Sequence, residues 1–361
     1  VTMRSRKLAT KLSCAIVLLT AGLFVVYLSS KLRTTQHTSR PLSYSPNLST
    51  KYILTWTSFF GDVHYIPSTV LSTCGPLPPC VVTHNRSLLN DSDLVIFHQR
   101  DIEVDDLPPE RSSRRQRWAL LNHEAPPHTP RVPAQIEGEF NWTVTYREDS
   151  DVILRPKLAR LHSLSESPKP RNWWTNKTRH VVWFVSNCNT PSNREGFVED
   201  LSQHIKVDII GQCGQHSCLP KMSQKCYSDA SNIYFFYLAL ENSICTDYVT
   251  EKLYNALLWG MVPVVFGGAN YKKVAPPNSY IDALSFETTK DLADHLKRVS
   301  RDALLYNSYH TWRLKYKFTS KHFICELCSM LHTSSPEKTY ANINDWWFGS
   351  ATCKKWMKVF S

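Results

Sequence analysis

The sequence predicts an α/β protein with two domains built on parallel sheets, facing each other across a cleft and preceded by a single N-terminal transmembrane helix. Three observations carry this expectation. Short apolar runs alternate with amphipathic stretches in the second half of the chain, the pattern of strands buried on both faces of a parallel sheet. A length of 361 residues suits about two domains of roughly 150 residues each. Between Lys11 and Lys31 lie 19 uncharged residues, just enough at ~1.5 Å per residue to cross a ~30 Å hydrocarbon layer.

Taken in order, residues 1–11 form a short cytosolic tail and 12–30 the membrane anchor. A cleaved signal peptide is the competing reading, but the length of the run, Tyr27 at its far end and Lys31 directly after it favour retention. Four basic residues precede the span and two follow closely, which keeps the N-terminus cytosolic and the bulk of the chain lumenal. Val1 is no initiator, so translation starts at Met3 or the chain is incomplete. Residues 31–50, rich in Ser, Thr and Pro, read as an extended stem. Residues 51–163 hold the apolar runs Tyr52–Trp56, Leu94–His98, Trp118–Leu121 and Val152–Leu154, expected as buried strands. Residues 164–178 lack periodicity and mark the boundary between domains. In 179–320, strands are expected at Val181–Val185, Val207–Ile210, Tyr234–Leu240 and Val262–Phe266, and helices from Arg194, at Val249–Leu258 and across Thr289–Tyr316. Val249, Leu253, Ala256 and Leu257 form one helical stripe, which Gly260 ends. Residues 321–361 form a C-terminal segment.

The formal charge of +11 belongs mainly to the beginning of the chain, where eight basic residues precede Asp62, the first acid. Beyond them 34 basic residues face 31 acidic ones, too even a balance for phosphate-backbone binding, so a nucleic-acid partner is excluded. Apart from Cys14 there are ten cysteines, an even number that suits bridges in an oxidising compartment. Zinc is the alternative, but neither Cys325-x-x-Cys328 nor Cys213 with Cys218 has a partner pair in register. Five N-x-S/T sequons, at Asn47, Asn85, Asn90, Asn141 and Asn176, mark candidate glycosylation sites on a secretory route.

Chemistry concentrates in the run E-N-S-I-C-T-D-Y-V-T-E-K that spans Glu241 to Lys252. A strand ends at Glu241-Asn242, and Thr250, Glu251 and Lys252 open a helix whose positive dipole end and free N–H groups favour an anion. Lys252 adds a full charge, and a carboxylate beside it suits a ribose diol. A capped surface helix with solvated Glu and Lys fits the same residues. Asp91-Ser-Asp93 and Asp149-Ser-Asp151 have the form of metal-binding D-x-D motifs.

The run from Glu241 to Leu257, with G-M-V-P-V-V-F-G-G-A-N-Y from Gly260 downstream, closely resembles the donor-binding signature of the α1,3-fucosyltransferases. The resemblance continues through W-A-L-L-N-H-E-A-P from Trp118, F-N-W-T-V-T-Y-R-E-D-S-D from Phe140 and W-F-V-S-N-C-N from Trp183. It implies two Rossmann-like domains of GT-B type, GDP-β-L-fucose as donor, and inversion at the fucose anomeric carbon. By motif position it implies Glu124 as general base, Arg194 and Lys252 as cations on the donor diphosphate, and Tyr237 and Asn242 as further polar donor contacts. Tyr248 would lie beside guanine and Glu251 on ribose. His123 departs from the family pattern beside the base. No metal ligand is implied and no cofactor is strictly required, although a divalent cation such as manganese would be able to stimulate. The resemblance also implies bridges from Cys74 and Cys80 to Cys325 and Cys328, returning the C-terminal segment to the first domain.

The activity thus expected is transfer of L-fucose from GDP-fucose to O3 of N-acetylglucosamine in glycoprotein N-glycans, by a type II protein of the Golgi membrane. Two acceptors compete. Lewis-type enzymes act on outer N-acetyllactosamine, and core-type enzymes act on the innermost N-acetylglucosamine. The continuation I-N-D-W-W-F-G-S-A-T-C from Ile343 to Cys353, with Cys188, Cys213, Cys218, Cys226 and Cys245, looks more like the invertebrate and plant core-type enzymes. Outside catalysis, a membrane-anchored glycan-binding protein that kept the fold without turnover is the remaining reading.

Overall fold

A computed structural model describes residues 48–161, 169, 171–218, 223–319, 321–333 and 337–358. The expected cytosolic tail, the membrane anchor, most of the stem and the Asn47 sequon lie outside the described residues. Among those described, no helix is long and apolar enough to cross a membrane.

The first lobe is an all-parallel sheet. Its strands are β1 (Lys51–Thr55), β2 (Cys80–Thr83), β3 (Leu94–His98), β4 (Arg117–Leu121), β5 (Trp142–Thr145) and β6 (Val152–Ile153), in the order β2-β1-β3-β4-β5-β6. Side-chain alternation sorts Ile53, Leu94, Ile96 and Leu121 to one face and Leu54, Val95, Phe97 and Leu120 to the other. Here the Rossmann-like expectation needs correction, because the connections between β1 and β6 are loops and 3-10 turns with no α-helix. With no helices of its own, this sheet needs its faces covered from elsewhere.

After β7 (Lys157–Arg160) the chain enters the second lobe. Its strands are β8 (Arg179–Phe184), β9 (Val207–Ile210), β10 (Tyr234–Leu240), β11 (Val262–Phe266) and β12 (Ile281–Asp282), parallel in the order β12-β11-β10-β8-β9. Its helices are α1 (Arg194–Ser202), α2 (Gln224–Ile233), α3 (Glu251–Trp259), the short α4 (Tyr271–Val274), α5 (Thr289–Arg301) and α6 (Ala303–Ser308). Helices cover both faces: Phe197 and Leu201 of α1 and Leu292 and Leu296 of α5 bury one, Leu253, Ala256 and Leu257 of α3 the other. The stripe read from the sequence is therefore the buried stripe, and Gly260 caps α3 at φ 87°.

The helical pattern expected to run to Tyr316 stops sooner. Tyr316–Thr319 is β13, antiparallel to β7. Beyond it α7 (Phe323–Leu331) lays Ile324, Leu327 and Cys328 on one face of the first sheet, and α8 (Ile343–Phe348) brings Ile343 to the other. Bridges Cys74–Cys325 and Cys80–Cys328 fasten α7 there, the pairing that the resemblance implies. Three more join Cys188 to Cys213, Cys218 to Cys226 and Cys245 to Cys353. Both sheets belong to one compact unit, Ser49–Ser361.

Candidate active site

Parallel sheets gather functional loops at the carboxyl ends of their strands, and the candidates lie there in both lobes. After β4, Asn122 is buried, accepting from the Glu124 N–H at 2.9 Å and donating to Gln99 Oε1 at 2.9 Å. That holds the turn on which Glu124 sits. Across the cleft, Asn242 Nδ2 donates to Glu124 Oε2 at 3.4 Å. Burial leaves Asn242 Oδ1 and Ser243 Oγ without partners among the described residues, acceptor capacity that suits a polar ligand.

Glu241, directly after β10, is 1% exposed. Its carboxylate accepts from the Thr250 N–H at 2.8 Å, from Thr250 Oγ1 at 2.9 Å and from Lys252 Nζ at 3.0 Å. Lys252 also lies 3.4 Å from Glu251 Oε1. Burial raises the Glu241 pKa despite the nearby ammonium. For Glu251 burial acts the same way, but Lys252 and hydrogen bonds at the helix start win and hold it below the usual carboxylate range. Burial also opposes the charge on Lys252, yet the two glutamates together raise its pKa. The three groups form one coupled unit in which Lys252 is shared by two carboxylates.

A cavity of about 570 Å³ is lined by Glu124, Asn242, Tyr248, Glu251 and Lys252. Adjoining it, a smaller one of about 140 Å³ is lined by Arg194 and Tyr237 and again by Glu251 and Lys252. All seven sequence candidates therefore meet in two cavities that share Glu251 and Lys252. Tyr248 is buried and packs edge-on against Tyr146, with ring centroids 4.8 Å apart. A further cavity of about 670 Å³ opens on the first lobe and shares His123, Leu154 and Pro156 with the main one. His123 is held below the ordinary imidazole range, first by enclosure and then by His98, so it stays neutral beside Glu124 near pH 7.

Several expectations change. The helix start is not a row of free N–H groups, because the buried Glu241 carboxylate takes that of Thr250. Motif position gives Glu241 no role, although a carboxylate directly after seven apolar strand residues is itself a signal of burial. Arg194 is 4% exposed and donates to the carbonyls of Leu240 at 2.8 Å and Asn187 at 3.0 Å, so it ties two loops together as well as lining a cavity. Tyr237 lies inside the core against Tyr227 and Phe184. Asn141 is withdrawn as a glycosylation site. Its amide is buried, accepting from Trp118 N–H at 2.9 Å and Arg111 at 2.7 Å and donating to the Lys338 carbonyl at 2.8 Å. Asn85, Asn90 and Asn176 are exposed. Both D-x-D motifs make structural hydrogen bonds, Asp93 with Lys51 and Tyr52 N–H, Asp149 with Arg147, and Asp151 with Thr143 and Lys338.

Residues 48–156 match the family profile described as fucosyltransferase, N-terminal, and residues 174–346 match that of glycosyltransferase family 10 (fucosyltransferase), C-terminal. The chain belongs to glycosyltransferase family 10. This fucosyltransferase is 37% identical over 337 residues to alpha-(1,3)-fucosyltransferase C of Drosophila melanogaster, covering 84% of this chain and 79% of that one. Glycoprotein 3-alpha-L-fucosyltransferase A of the same organism is 35% identical over 77% of this chain, which spans 56% of that relative's length. The 3-galactosyl-N-acetylglucosaminide 4-alpha-L-fucosyltransferase FUT3 of Pan troglodytes is 35% identical, with coverage of 84% and 82%. A solved alpha1,3-fucosyltransferase with GDP-fucose has a TM-score of 0.54 at 15% identity, covering 81% of this fucosyltransferase and 94% of that chain, a likeness of fold.

Proposed function

We propose that this chain is an inverting α1,3-fucosyltransferase that moves L-fucose from GDP-β-L-fucose to O3 of the innermost N-acetylglucosamine of N-glycans. One observation carries the reading: the Glu124 carboxylate of the first lobe stands at hydrogen-bond reach of Asn242 in a cavity whose opposite wall is Glu251-Lys252. A hydroxyl is a weak nucleophile near neutral pH, so a positioned carboxylate takes its proton as it attacks. The new bond forms between the acceptor oxygen and the anomeric carbon, opposite the breaking bond to phosphate. Its electron pair departs onto the diphosphate, where Lys252 and Arg194 stabilise the charge. Turnover is therefore expected to persist in EDTA, with manganese able to stimulate. Glu251 accepts from the ribose hydroxyls, and Tyr248 packs beside guanine.

The relatives include both glycoprotein and lactosamine-type enzymes at 35% identity, so identity does not choose between acceptors. The segment beyond Cys328, bridged at Cys245–Cys353, supports the core reaction by its resemblance to core-type enzymes. Offering a GlcNAc-terminated N-glycopeptide beside free N-acetyllactosamine, with fragmentation to locate the fucose, tests the choice. Transfer only to lactosamine reverses it. We place the enzyme in the Golgi membrane by residues 12–30, with the lobes lumenal.

Glu124→Gln keeps shape but cannot take the proton, so turnover should fall by ~10² to 10⁴ while GDP still binds. Near-normal turnover in the purified variant removes Glu124 from this role.

A further inference from the structure

Residues 343–353 bear on more than the choice of acceptor. On one side α8 is fastened to the first lobe: Asn344 accepts from Val132 N–H at 2.8 Å and donates to its carbonyl at 2.9 Å, and Arg147 donates to the Trp346 carbonyl at 2.7 Å. The chain then crosses to the second lobe. There Cys353 is bridged to Cys245, Thr246 N–H donates to the Ala351 carbonyl at 2.9 Å, and Lys354 N–H donates to that of Ile244 at 2.8 Å.

Between these anchorages sits Trp347, 0% exposed. It shares one apolar cluster with Ala125 and Tyr146 of the first lobe and with Cys245 and Tyr248 of the second. Ala125 adjoins Glu124, and Tyr248 lines the main cavity. The indole N–H of Trp347 has no hydrogen-bond partner among the described residues. A buried, unpaired donor is costly, so the residue is held there by its volume and shape.

We propose that Trp347 is a positioning residue, a spacer that sets the separation between the turn bearing Glu124 and the loop bearing Asn242 and Tyr248, kept seated by the Cys245–Cys353 bridge. The proposal rests on Glu124 being the base. Close-packed interiors transmit the loss of a large side chain to their neighbours, and a ~1 Å misplacement of a reacting group costs about 10² in rate. Arg194, Glu251 and Lys252 stand outside the Trp347 cluster, so nucleotide affinity, which Trp347 reaches only through Tyr248, should change much less than kcat.

The test uses the detergent-solubilised full chain, measuring kcat, acceptor KM, GDP affinity by calorimetry and Tm. Trp347→Ala should lower kcat by at least ~10-fold and leave GDP affinity within about threefold. Trp347→Phe, which restores an aromatic filler, should return kcat to within about threefold of the parent. Cys353→Ser should shift kcat in the same direction by a smaller factor. Leu296→Ala, in the α5 core, controls for general destabilisation and should lower Tm with kcat held within about twofold. Unchanged kcat in folded Trp347→Ala, or GDP affinity falling in step with kcat, overturns the proposal; so does an equal kcat loss in Leu296→Ala. If Trp347→Ala does not fold, Cys353→Ser decides, and normal kcat there is equally fatal. An active Glu124→Gln would instead show that the base assignment has failed.

Discussion

Glu241 is a buried carboxylate whose charge is compensated by Lys252 and Thr250, and that dependence makes the pair separable by mutation. Lys252→Ala strands Glu241, so stability should fall by about 3–5 kcal/mol in thermal unfolding, and GDP affinity should fall with it. Adding Glu241→Gln removes the stranded charge. The double variant should regain most of the lost stability and none of the lost affinity, and recovery of both would mean that Lys252 does not meet the diphosphate. Sequence alone pointed to Lys252 and Glu251 because charged residues at a helix start after a strand have a recognisable chemistry. It could not reveal that Glu241 already occupies that helix start, since the hydrogen bond joins residues nine positions apart across a turn.

At the scale of elements, α3 and the segment before β8 depend on each other through Gly260. A Cβ there would lie 2.2 Å from Trp173 Cζ3, and the residue stands at φ 87°. Gly260→Ala therefore carries both a left-handed strain and a clash and should cost about 2 kcal/mol or more, read as a lower Tm. Trp173 stacks on His310 at 4.9 Å, and Trp174 Nε1 donates to the Ser300 carbonyl at 2.8 Å, so this aromatic pair packs against α5 and the residues that follow α6. Nearby, burial and Arg171 push the Lys177 ammonium down to about 7. The unfolded chain keeps that proton to about 10.4. Between these values the unfolded state binds more protons, so this group's contribution to stability rises with pH from about 7. The Tm difference between parent and Lys177→Met should move in the parent's favour over pH 7–10; a difference that is flat with pH would refute the shift.

For the whole molecule, the two bridges between α7 and the first lobe join residues 251 and 248 positions apart. Chain entropy gives each long closure up to ~5 kcal/mol. Cys80→Ser with Cys328→Ser should therefore lower Tm markedly, and non-reducing peptide mapping of the parent should recover all five pairings. The first sheet explains why these bridges matter. Lacking helices between its strands, it takes Ile324 and Leu327 on one face and Ile343 on the other, so separating these helices would expose the apolar surface they cover.

What the sequence determined by itself is whatever depends on neighbours along the chain. Tyr234–Leu240 and Val262–Phe266 are apolar runs that end at polar or glycine residues, and they fold as strands with those same bounds. The α3 stripe follows from helical period, and Glu124, Asn242, Glu251 and Lys252 follow from motif. Tertiary structure decided what depends on distant partners. The helical run expected as far as Tyr316 gives way to the alternating Tyr316–Thr319, which pairs as a strand with the edge that β7 supplies. Asn141 satisfies the sequon rule, yet Trp118, Arg111 and Lys338 converge on its amide from other elements. Nothing in I-N-D-W-W-F sets Trp347 apart from Trp346. The place of Trp347 between the lobes is set by two anchorages, one beside Val132 and the other at Cys245, because burial is a property of the packed molecule and not of any stretch of its sequence.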